Sequence, residues 1–94
     1  MFVIEDESHA EHIGQYSNPA EAMAELRRLA ELSWDEAPNR APCMSWRTCG
    51  RRYELVEYDT SYATWRELKR TSILNVSAEG AAWTRDTDPN HLTK

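Results

Sequence analysis

Glycine is scarce in this chain. Its three residues, Gly14, Gly50 and Gly80, stand far apart, so no glycine-rich loop is present to cradle a phosphate. Cysteine occurs twice, at Cys43 and Cys49. That C-x5-C spacing is neither the C-x-x-C of a redox pair nor part of a zinc-ligand set. On one extended strand the two would lie about 20 Å apart at roughly 3.3 Å per residue, too far for a disulfide, whereas an earlier turn would let them meet. Histidine offers one close pair, His9 and His12, with His91 remote, and no metal site is expected from a lone H-x2-H. No G-x-S-x-G order exists for nucleophilic catalysis. The carboxylate runs Glu5-Asp6-Glu7 and Asp35-Glu36 read as solvated surface. No catalytic residue, metal or cofactor is therefore expected.

Long hydrophobic runs are also missing. The opening MFVI turns acidic at Glu5, and no stretch of ~18 apolar residues follows. A cytoplasmic location is the default expectation, with the two cysteines as free thiols. Basic charge is short as well. The net charge is −5, which argues against general affinity for nucleic acid or an anionic membrane. Its distribution is uneven: residues 1–38 hold nine acids and two bases, residues 39–85 five acids and eight bases.

What the chain does have is tryptophan, four residues in 94. Such bulky anchors suit a folded chain, and this length suits one domain with one modest core. The most informative stretch is PCMSWRTCGRRYELVEYD, residues 42–59. It reads as two strands, 44–49 and 52–58, joined near Gly50. Apolar groups then fall on both faces, because side chains alternate along a strand.

Residues 1–4 and 12–16 read as two short strands. A helix is predicted over residues 19–33. Pro19 suits the first helical position, Asn18 is a natural N-cap, and Glu21 follows three residues later. Ala22, Met23, Leu26, Leu29, Ala30 and Ser33 share one arc of that helix, so one face packs on a core. Residues 35–42, with two prolines, form a linker. Thr64 and Glu67 have capping-box spacing, which predicts a single helical turn over residues 65–69. TSILNVS, residues 71–77, is a strand. Ala78-Glu79-Gly80 is a hairpin loop with Gly80 left-handed, and residues 81–85 return as the last strand. Residues 86–94 are a polar, proline-broken tail. The expected fold is one α+β domain over residues 1–85, with an antiparallel sheet of five to six short strands. One main amphipathic helix (19–33) packs on one face, in the order ββ-α-ββ-ββ.

One helix does not cover both faces of such a sheet. The other face is expected to carry aromatic groups and to meet a partner, a second copy of the chain or another protein. Within the central hairpin, Trp46, Arg47, Arg51, Arg52 and Tyr53 interleave aromatic and basic groups, the residue types that dominate protein-binding hot spots. The same set could stack on single-stranded nucleic acid, but the acidic total weighs against that. The leading expectation is a non-enzymatic protein-interaction module, meeting a partner through this hairpin. An RNA- or single-stranded-DNA-binding module comes second, and a small enzyme or thiol or metal protein third.

The segments WDEAPNRAPCMSWRTCGRRYELVEYD (34–59) and ILNVSAEGAAW (73–83) resemble small bacterial proteins of about this length with no assigned activity. The resemblance implies a compact fold and a bacterial cytoplasmic origin. It carries over no functional residue.

Overall fold

The structure, a computed structural model, describes residues 1–41 and 49–84. The elements run β1 (Phe2–Asp6), β2 (Glu11–Tyr16), α1 (Pro19–Glu31), β3 (Arg51–Asp59), β4 (Arg66–Ser77) and β5 (Gly80–Trp83). The five strands form one antiparallel sheet in the order β2-β1-β3-β4-β5. The α+β class, the single helix and the antiparallel sheet agree with the sequence reading. The predicted strand over 44–49 lies largely outside the described residues, and so does the predicted tail, 86–94.

The helix begins where its cap residues place it. Asn18 Oδ1 accepts the Glu21 backbone N–H at 2.9 Å, and Asn18 Nδ2 donates to Glu21 Oε1 at 2.7 Å. Pro19 occupies the first turn, where its missing N–H has no helical acceptor to lose. The helix ends two residues before the predicted Ser33, because Leu32 already has extended backbone. A residue from the linker takes over there. Asn39 Nδ2 donates to the carbonyls of Leu29 (2.8 Å), Leu32 (3.3 Å) and Ser33 (3.4 Å), at the end where a helix leaves carbonyls unpaired. Ala22, Leu26 and Leu29 are fully buried against Ile4, Tyr53, Leu74 and Val76 of the sheet. Burying each leucine contributes on the order of 1.5–3 kcal/mol.

Three expectations are corrected. Residues 66–69 are strand, not a helical turn, because β3 runs long enough to pair with them: Asp59 faces Arg66, Tyr58 faces Glu67 and Glu57 faces Lys69. The Glu67 carboxylate, instead of capping a helix, accepts two bonds from Arg70. Second, β3 pairs with β1 on one side and β4 on the other, where a partner before Gly50 was expected; that predicted arm lies largely outside the described residues. Gly50 instead passes tightly under β4, where an added Cβ would sit 2.6 Å from the Val76 carbonyl oxygen. Third, Cys49 is disulfide-bonded rather than a free thiol. The distance argument assumed a strand through this residue, and Cys49 and Gly50 are not in one.

The predicted turn of β4 and β5 is present, with Gly80 at φ 118° as a left-handed hairpin position requires. Two register shifts leave Leu68 and Ile73 of β4 unmatched on β3. These are bulges, which bend a strand and interrupt its ladder.

Candidate interaction surface

Of the five residues singled out in the sequence, Trp46 and Arg47 lie outside the described residues. Tyr53 points from the centre of the sheet into the core and is 0% exposed. Its hydroxyl donates to Asn39 Oδ1 at 2.8 Å. Burial pushes this phenol well above the usual tyrosine range. Arg51 is 5% exposed. It donates to Asp6 Oδ2 at 3.0 Å and to the Arg40 carbonyl at 2.9 Å. Both residues therefore lie in the interior. Arg52 alone of the described candidates reaches the surface, where it pairs with Glu7 at 3.0 Å.

Asp6 is the hub of this buried group. Its carboxylate accepts the backbone N–H groups of Ser8 (3.1 Å) and Arg52 (3.0 Å). His9 Nδ1 lies 2.5 Å from its other oxygen. The Glu5-Asp6-Glu7 run, read as uniformly solvated, is thus split by strand alternation. Asp6 turns toward the interior beside Tyr53, its register partner, while Glu7 stays outside.

The face away from the helix carries a second polar network. Arg70 donates to Glu54 Oε1 at 2.7 Å, to Glu5 Oε1 at 3.1 Å and to Glu67 Oε1 at 2.8 Å. Tyr58 donates to Glu5 at 2.6 Å and Ser72 to Glu54 at 3.2 Å. Burial, then the bond to Glu5, pushes the Tyr58 phenol up to about 12. Val3 and Val56 are fully buried in the middle of this face. Among the described residues, the aromatic groups there are Tyr58 and its neighbour Trp65, whose ring centroids are 5.8 Å apart, set beside these ion pairs.

Apolar exposure gathers at one end of the sheet. The exposed large apolar side chains among the described residues are Met1 (38%), Tyr62 (51%), Trp65 (38%) and Leu68 (59%). All four sit at the end of the sheet where β3 turns into β4. Met1 is tied there by its backbone carbonyl, which accepts the Tyr58 N–H at 2.8 Å. Tyr62 and Trp65 belong to the connecting loop, with the Arg66 guanidinium 4.9 Å over the Tyr62 ring. Leu68 stands at a bulge, unmatched on β3.

A pocket of about 190 Å³ adjoins this end, lined by Phe2, Pro19, Leu55, Glu57, Lys69 and Thr71. It lies on the helix-bearing face, past the first turn of α1. The helix packs around Tyr53 and Leu74, and its Pro19 lines the pocket. The floor is apolar, and Glu57 and Lys69, opposite each other in the ladder, set one charge of each sign at the rim. Sequence reasoning missed this site because it placed residues 65–69 on a helix. With that stretch drawn as strand, the alternation of Leu55, Glu57, Lys69 and Thr71 on one face follows directly.

No three histidine, cysteine, aspartate or glutamate residues among those described group to hold a metal ion. No helix among them is long and apolar enough to cross a membrane. Compared with protein families, curated proteins and solved structures, the chain matches none. The resemblance read in residues 34–59 and 73–83 finds no support in these comparisons.

Proposed function

We propose that this chain is a non-enzymatic protein-interaction module that meets its partner through the β3–β4 end of the sheet. One observation carries the reading: the exposed large apolar side chains and the pocket share that end. Apolar surface gathered in one place, rimmed by charge, is the usual mark of a binding patch. Trp65, Tyr62 and Arg66 add the residue types that dominate binding energy. The patch replaces the hairpin centred on Gly50 as the expected surface. The burial of Arg51 and Tyr53 also takes from the nucleic-acid reading two of its five residues.

The disulfide at Cys49 favours a compartment in which thiols oxidise over the reducing cytoplasm first expected.

The test is site-specific photo-crosslinking. A photoreactive side chain in place of Tyr62 should form discrete adducts with protein. The same group in place of Arg28, on the exposed side of α1, should form few. Equal, diffuse labelling from both positions would reject the patch.

A further inference from the structure

We infer that the occupant of the pocket is Leu68 of a second copy of this chain, in a two-fold dimer. The inference rests on the reading of the β3–β4 end as a binding surface and names what binds there.

A protein that carries both a projection and a matching recess on one surface can close on itself about a two-fold axis, each copy giving and receiving once. Leu68 is the most exposed large apolar side chain among the described residues, and a bulge frees it from the ladder. Its neighbour in sequence, Lys69, lines the pocket with Thr71. Leu68 is thus next along β4 to the rim of the pocket. The pocket, about 190 Å³, suits one branched aliphatic group; an apolar cavity of about 150 Å³ holds a benzene.

Charge agrees with the same geometry. Glu57 and Lys69 stand at the rim, one of each sign. A two-fold operation through that rim sets Glu57 of one copy near Lys69 of the other, twice. It also stacks the pocket-bearing parts of the two faces, so that Phe2 and Leu55 leave water.

Extension of the sheet by pairing along the part of β4 that β5 does not reach is a poorer solution. The Leu68 bulge interrupts the ladder, and Arg66, Lys69 and Arg70 would crowd like charges across a two-stranded seam. Contact through the face avoids both.

The experiment is sedimentation equilibrium from about 5 to 500 μM on the full chain and four further samples: Leu68→Glu, Glu57→Lys, Lys69→Glu, and an equimolar mixture of the last two. All substituted groups are at least partly exposed, and circular dichroism checks that each variant keeps its fold. The wild type should dimerise within this range. Leu68→Glu should weaken association at least tenfold. Glu57→Lys and Lys69→Glu should each be weakened by like charges facing one another. Their mixture should recover a heterodimer. One chain then carries a lysine at both rim positions and the other a glutamate at both, so opposite charges meet twice.

A wild type that stays monomeric at about 500 μM overturns the dimer, and so does a dimer indifferent to all these changes. Either result leaves the broader reading to the photo-crosslinking at position 62. Discrete adducts with other proteins there would keep the surface and reject the second copy as its occupant.

Discussion

Arg70 on β4 and Glu5 on β1 meet at 3.1 Å although β3 runs between their strands. The guanidinium reaches across the middle of the sheet, over Val56, its register partner on β3. Glu54 of β3 and Glu67 of β4 bind the same group. One cation thus ties together three strands and holds three carboxylates that would otherwise repel.

The first prediction concerns that cation. Arg70→Met should lower stability by about 1–3 kcal/mol, since hydrogen bonds to charged groups contribute more than neutral ones and Glu54 is left nearly buried without its partner. Urea unfolding measures it. Arg28→Met, which removes an exposed pair with Glu25 on the helix, should barely move the midpoint. Equal effects from the two variants would show that the strap is ordinary surface.

Tyr58 makes a pH prediction. Its phenol titrates near 10 in an unfolded chain and is pushed up to about 12 here, by burial and then by the bond to Glu5. The folded state therefore favours the protonated form. The resulting stability is complete below about pH 10 and is lost as pH rises from about 10 to 12. Tyr53 and Tyr16, also raised, act in the same direction. Melting temperatures of the wild type and Tyr58→Phe should converge across that window, the wild type falling more steeply. Parallel curves would remove Tyr58 from the account.

The helix was legible because its signals are local. Asn18, Pro19 and Glu21 lie within four positions, and Asn18 and Glu21 bond to each other in the structure. The predicted turn at residues 65–69 shows the limit of such signals. Thr64 and Glu67 satisfy a capping spacing, but nine residues of β3 offer a ladder that a single helical turn does not outweigh. Polar residues with distant partners were the least legible. Asn39 looked like linker and Arg51 like surface. Their burial depends on Leu29 and Tyr53 in one case and on Asp6 in the other, contacts 10, 14 and 45 positions apart. The pocket was illegible for the same reason. Aromatic and basic residue types marked residues 46–53, and only the pairing of β3 with β4 brought Leu55, Lys69 and Thr71 together.

Asn39 and Tyr53 form the third prediction. Asn39→Ala leaves the Tyr53 hydroxyl and the Leu29 carbonyl buried without partners, and should cost about 2–6 kcal/mol, counting roughly 1–3 for each unsatisfied group. Tyr53→Phe removes one bond and should cost less, about 1–2 kcal/mol. The double variant should fall short of the sum, as expected for residues in direct contact. Strict additivity in urea unfolding would mean that the side chains do not meet in solution.

The last prediction separates a recognition arginine from a structural one. Arg51 was the natural choice for a partner-facing cation, yet its side chain is almost wholly enclosed and faces Asp6, which is fully buried. Removing one member of such a pair strands the other in a medium that solvates charge poorly. Arg51→Met should therefore cost about 3–5 kcal/mol, and Asp6→Asn a similar amount. Removing both should cost much less than the two losses together, because no buried charge is then left alone. Arg52→Met, one residue along the same strand but with its side chain in solvent beside Glu7, should change stability by no more than about 0.5 kcal/mol. Urea midpoints for these four variants decide the matter. A stable Arg51→Met protein would return Arg51 to the surface and reopen the central strand as a place where partners bind.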